Sequence, residues 1–168
     1  MIPLGHYTEL TLRGITPFLW CLGLGLLTFV PLGIAYGDLL MPNLLLAAAF
    51  YWMINRPQLM PNSVLFLLGL MYDLLNGGLI GCMSLALIAA ARFTNSQRRI
   101  FTGRMFVVSW WGFVIVAVGY GAVNWAIVSM LTRGSIDPTT TAVQTLMTVA
   151  AYPLVALGLG RFQRRVLD

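Results

Sequence analysis

GLMYDLLNGGLIG, residues Gly69–Gly81, is the stretch on which the fold turns. It joins two apolar runs, about 60–75 and 79–92, and holds one carboxylate, Asp73, one amide, Asn76, and four glycines. Gly77 and Gly78 permit a tight reversal of the backbone. Gly69 lies four residues before Asp73, and Gly77 four before Gly81. Small residues at that spacing let helix backbones approach closely in lipid. Asp73 falls near the C-terminal end of its run, where a helix dipole is negative and repels a carboxylate. It therefore needs a partner: the N-terminus of the following helix, a hydroxyl, or a cation, for which Arg133 is the candidate. Asn76 is placed to cap the next helix.

The rest of the chain says what surrounds this stretch. Its 168 residues are 59% hydrophobic and 9% charged, and the mean hydropathy is +0.85. A soluble domain of this size carries about 25% charged residues. The outer surface therefore faces lipid. The net charge of +5 comes from ten arginines and no lysine. Because these lie between apolar runs, they read as topology signals rather than as a nucleic-acid surface. Cys21 and Cys82 both sit inside apolar runs, as small buried hydrophobes rather than a disulfide framework. The first run follows Arg13 without a small-residue cleavage pattern and reads as a retained span.

Six apolar runs mark the candidate spans of a single membrane domain over 1–168: 15–36, 39–54, 60–75, 79–92, 105–131 and 140–160. A crossing takes roughly 17–25 residues, so the second, third and fourth are short. With the N-terminus inside and six crossings, Arg13, Arg56, Arg92, Arg98, Arg99, Arg104, Arg161, Arg164 and Arg165 all fall inside, and only Arg133 falls outside. Asp38 and Asp137 lie in the outer loops. The expectation is an all-α integral membrane protein of six short transmembrane helices, with both termini inside. Arg56 and Arg92 share a side, which either two short spans or one re-entrant hairpin at Asn76–Gly78 satisfies. Pro57 and Pro61 punctuate the chain before the third run and favour two spans. The residues before Arg13 read as a short interfacial segment. The inner loop 92–104, with Arg92, Arg98, Arg99 and Arg104, suits anionic lipid or a cytoplasmic protein.

Catalytic chemistry is thinly supplied. His6 stands alone outside the spans, without a second ligand at metal spacing. No nucleophile–base pair or paired carboxylates share a span, and the glycines at 23 and 25 lack the Lys-Ser/Thr of a phosphate loop. The remaining intramembrane polar residues are Asn124, Gln144 and some Ser and Thr. Catalytic residues, metal ligands and cofactors are therefore expected to be none.

The segment Gly69–Leu85 resembles the rod shape-determining MreD family, whose core has the form G-x-x-x-D-x-x-x-G-x-x-x-G. Gly69, Asp73, Gly77 and Gly81 match it, with Leu74, Leu75 and Leu85 alongside. The segment PNLLLAAAFYWMINRP, 42–57, is similar in style to the family's second span. The resemblance implies a non-enzymatic, multi-pass protein of the bacterial inner membrane in the cell-elongation machinery that builds peptidoglycan. Its partners would be the bitopic protein MreC, an actin-like filament protein, the peptidoglycan polymerase and transpeptidase, and the lipid bilayer, with no nucleic acid. It also implies a bundle similar to the substrate-binding subunits of energy-coupling-factor transporters. The partner-facing motif would be Gly69, Asp73, Asn76, Gly77, Gly78 and Gly81. The alternative is a vitamin-type importer subunit with a polar pocket drawn from Asp73, Asn124, Trp125 and Arg133.

Overall fold

The computed structural model describes residues 5–28, 41–77, 80–96, 106–132 and 138–166, with backbone alone for 5–15, 132 and 163–166. These form six α-helices and one 3-10 turn: α1 Gly5–Leu27, α2 Leu44–Asn55, the turn Pro57–Leu59, α3 Asn62–Asn76, α4 Cys82–Ser96, α5 Phe106–Thr132 and α6 Pro138–Val166. No strand occurs among the described residues.

α3, α4 and α5 follow their apolar runs to within four residues, α2 begins five residues late and α6 continues six residues further; α1 departs most. It begins at Gly5, inside the stretch read as an interfacial segment, and ends at Leu27 rather than near residue 36. Hydropathy marks apolar length, whereas helix ends depend on backbone partners. At the C-terminal end the Thr28 N–H turns back to the Gly25 carbonyl at 3.2 Å, and Thr28 Oγ1 donates to the Leu24 carbonyl at 3.3 Å. Residues 29–40, with Gly33, Gly37 and Asp38, lie outside the described residues.

The core is built around α2. Asn43 caps it, with Oδ1 accepting from Leu46 N at 3.0 Å. At the other end the Arg56 N–H closes on the Trp52 carbonyl at 2.8 Å, and Pro57 forces the exit. Between these ends Leu45 to Phe50, Trp52 and Met53 are all buried. An apolar helix covered on every side sits inside a bundle rather than against solvent. Phe50 meets Phe113 and Tyr152, whose rings stack at 4.3 Å. α2 packs on α1, α4, α5 and α6, and so connects the whole assembly.

The helices alternate in direction. Asp73 near the end of α3 meets the start of α4, Cys82 at the start of α4 meets Asn124 late in α5, and Asn43 before α2 meets Thr148 in the first half of α6. One end of the bundle thus gathers the C-termini of α1, α3 and α5 and the N-termini of α2, α4 and α6. Arg56 and Arg161 belong to the opposite end.

Among the described residues, only α5 and α6 are long and apolar enough to cross a membrane, and just 22% of each apolar window is buried. Core helices of soluble proteins are mostly covered; these present Ile115, Val118, Val123, Leu146, Leu154 and Leu157 outward. An exposed apolar surface on this scale belongs in lipid.

Candidate functional site: the α3–α4 corner and its polar layer

The local conformation at the corner is set by two glycines. α3 ends at Gly77, which takes the left-handed conformation with φ +64°, a common helix stop that costs glycine nothing. Gly81 has φ +99° and stands in the N-cap position of α4, its carbonyl accepting from Leu85 N at 2.9 Å. A glycine there brings no side chain to satisfy the first N–H groups of the helix.

Asp73 supplies what Gly81 lacks. Its Oδ2 accepts from Gly81 N at 2.8 Å, and its two oxygens accept from Met83 N at 3.1 and 3.2 Å. These are the contacts of an N-cap residue, made by a side chain from the preceding helix. Burial leaves Asp73 only 5% exposed, which sharpens the cost of losing either partner. The negative end of α3's dipole is offset by the positive end of α4's. Of the partners open to Asp73, the described structure gives it the following helix N-terminus; Arg133 lies outside the described residues. Asn76 is exposed at the end of α3, and the α4 N–H groups it was placed to cap go to Asp73 instead, because Asp73 lies one turn back on the buried face.

Below the carboxylate the two helices touch at backbone level. A Cβ on Gly69 would collide with Ser84 Cα and come within 2.5 Å of Ser84 N. Ser84 Oγ donates to the Phe66 carbonyl at 3.1 Å. The four glycines of the motif therefore divide by cause. Gly69 is needed for closeness. Gly77 and Gly81 are needed for φ, since a Cβ there would meet nothing within 4 Å. Gly78 lies outside the described residues, as do Arg98, Arg99 and Arg104 of the basic segment. Arg92 is not in a loop: α4 continues through it to Ser96, and its side chain is exposed.

Asn43 and Thr148, not singled out beforehand, extend this corner with Gln144 and Asn124 into a polar layer across the bundle. The Asn43 N–H donates to Thr148 Oγ1 at 2.9 Å across 105 residues of sequence, and Thr148 Oγ1 donates to the Gln144 carbonyl at 2.7 Å. Asn43 Nδ2 lies 3.8 Å from Met83 Sδ, and Gln144 Nε2 lies 3.5 Å from the Met41 carbonyl. Cys82 Sγ lies 3.8 Å from Asn124 Oδ1. The signal available was a buried-helix cap, Asn43 after Pro42, together with the Thr-x-x-Gln-Thr-x-x-Thr spacing of residues 141–148 that stacks polar groups on one face of α6.

Of the residues proposed for a vitamin-type pocket, Arg133 lies outside the described residues, and Asp73, Asn124 and Trp125 do not line one pocket. Asn124 lines a polar cavity of about 20 Å³ with Asn43, Gln144 and Thr145. Trp125 instead lines an apolar groove of about 400 Å³ between α5 and α6, and Asp73 is committed to backbone. Drug-sized ligands occupy roughly 300–1,000 Å³ with several convergent polar groups. No group of three His, Cys, Asp or Glu side chains able to hold a metal occurs among the described residues.

The family model described as rod shape-determining protein MreD matches residues 11–159. No curated protein and no solved structure gives a significant match.

Proposed function

Because this chain belongs to the rod shape-determining MreD family of membrane proteins, whose role is in cell shape, we propose that it is a non-enzymatic scaffold of the cell-elongation complex. In this reading it resides in the bacterial inner membrane, crosses it six times with both termini in the cytoplasm, and binds the bitopic partner MreC. The family match over most of the chain carries the proposal. The asymmetry of nine arginines against one supports the topology, and the alternating helix directions are compatible with it. α2, α3 and α4 have 12, 15 and 15 residues, or about 18–22 Å at 1.5 Å per residue. They are short for crossings of a bilayer core near 30 Å. The buried position of α2 suits a short helix sheltered by its neighbours, and the short α3–α4 hairpin suits a bilayer thinned beside it.

Binding would work by presentation. Asp73 and Gly69 fix the angle between α3 and α4, which holds Leu74, Leu75 and Ile80 exposed at the corner. In lipid, close packing and a few polar contacts drive helix association, so a rigid apolar corner at the outer face suits the juxtamembrane segment of a single-span partner. The basic segment 92–104 would meet anionic lipid or the actin-like filament on the inner side. The polymerase and transpeptidase of wall growth would be reached through the same assembly.

Depletion in a rod-shaped host tests the role, with rounding of the cells as the expected outcome. Asp73→Leu, expressed in place of the wild type, should reach the membrane fraction yet fail to restore rods or retain MreC on purification. Normal shape on depletion would refute the scaffold role. Full MreC retention by a membrane-inserted Asp73→Leu would move the interface away from this corner.

A further inference from the structure

The polar layer borders a small, partly open space where the start of α2, the second half of α5 and the first half of α6 meet. Its wall carries Asn43, Tyr120, Asn124, Thr141, Gln144 and Thr145, and its volume is about 20 Å³. A water needs at least about 10–15 Å³ together with two to four polar partners. Both conditions hold here, and the space is far too small for an organic ligand.

The chemistry of the wall separates water from a cation. Thr145 Oγ1 gives its proton to the Thr141 carbonyl at 2.8 Å and keeps lone pairs for an incoming donor. The Asn124 and Gln144 amides and the Tyr120 hydroxyl each offer a donor as well as an acceptor. A bare cation needs acceptors alone and gains most from a carboxylate. The wall contains none, and both oxygens of Asp73 accept backbone N–H groups at the α4 terminus. Mixed donors and acceptors around a one-water volume fit a molecule that both gives and takes hydrogen bonds.

Gly121, Thr141 and Thr145 line both this cavity and the neighbouring apolar groove. A Cβ on Gly121 would lie 2.5 Å from Thr145 Oγ1, so α5 and α6 close on each other at the partition. We infer that the cavity binds one ordered water molecule, which links the capped start of α2 to α5 and α6 inside the bundle. The inference is independent of which partner the protein binds.

X-ray radiolytic hydroxyl labelling of the protein in lipid nanodiscs tests it, because labelling requires water beside the side chain. Tyr152 is the internal control: the same chemistry, 2% exposed, and packed against Phe113 and Phe50. Tyr120 should be oxidised several-fold more than Tyr152, and after rapid mixing into H₂¹⁸O its label should take up ¹⁸O more slowly than side chains at the surface. Equal oxidation of the two tyrosines would overturn the inference. Asn124→Leu, which fills the cavity with an apolar side chain, should bring Tyr120 down to the level of Tyr152. Undiminished labelling in that variant would also overturn it, since the water would then reach Tyr120 from elsewhere. Where the variant fails to fold, slow ¹⁸O uptake at Tyr120 separates a held water from solvent in the groove with Cys82 and Leu85 that Tyr120 also lines, and uptake at the surface rate would overturn the inference.

Discussion

The α3–α4 hairpin and the α5–α6 pair solve the same packing problem with different tolerances. Each pair is antiparallel and brought close by one glycine. In the hairpin, the atoms facing Gly69 are the backbone N and Cα of Ser84; in the long pair, the nearest atom to Gly121 is the side-chain oxygen of Thr145. A backbone cannot rotate out of the way, whereas a threonine can change rotamer. The hairpin is further fixed by a buried carboxylate on two backbone N–H groups, while the long pair relies on contacts such as Trp110 Nε1 to the Val149 carbonyl at 3.3 Å. The short helices thus form the rigid part of the molecule, and the long helices can adjust.

Gly69→Ala is expected to give the largest effect, a loss of at least about 3 kcal/mol, at the upper end of overpacking costs. The readout is the monodisperse fraction and thermal midpoint of the purified protein. A midpoint within a degree or two of the wild type would mean that α3 and α4 can slide apart, and the contrast would fail.

Asp73→Leu comes next. It leaves the Gly81 and Met83 N–H groups unpaired, at about 2–3 kcal/mol in total. Asp73→Asn keeps one accepting oxygen and should cost about half as much, because it forfeits charge assistance and the favourable end of the α4 dipole. The order of the two midpoints, Leu below Asn below wild type, is the measurement. Equal loss in both would show that charge, not hydrogen-bond acceptance, holds the corner.

Gly121→Ala sharpens the comparison from the other side. The new methyl displaces Thr145 Oγ1 and breaks its bond to the Thr141 carbonyl, at about 1 kcal/mol. Alanine recovers much of that through its better helix propensity, which is worth about 1 kcal/mol over glycine. The net change in thermal stability should be under about 1 kcal/mol, well below that of Gly69→Ala.

The sequence carried much of this architecture and little of its wiring. Apolar runs and prolines placed α3, α4 and α5 within four residues and α2 and α6 within six, because lipid demands long uncharged segments. They misplaced α1, whose first half mixes polar and apolar residues yet remains helical. The motif glycines and Asp73 stood out because an acid and a flexible turn are unusual in such a chain. That Asp73 caps α4 was one of three open choices, since a backbone N–H leaves no trace in residue identity. The bridge from Asn43 to Thr148 spans 105 positions and follows from the way α6 folds back on α2. Neither residue signals that pairing locally.

The smallest effect is expected in α2, which packs against α4 of the hairpin and against both long helices. Trp52 is fully buried, and its Nε1 has no hydrogen-bond partner among the described residues. A buried unpaired donor costs about 1–3 kcal/mol, so Trp52→Phe removes that cost. It also removes part of a large ring, and the cavity left behind costs a similar amount where the surroundings do not collapse. The two terms oppose each other, so Trp52→Phe should change the thermal stability by less than about 1 kcal/mol. Asp73-dependent MreC retention should be unaltered in the Phe variant, because neither the corner nor the long pair is touched. A loss above about 2 kcal/mol for Trp52→Phe would mean that the indole N–H has a partner, and that α2 contributes a specific polar contact to the junction between the rigid and the adjustable halves.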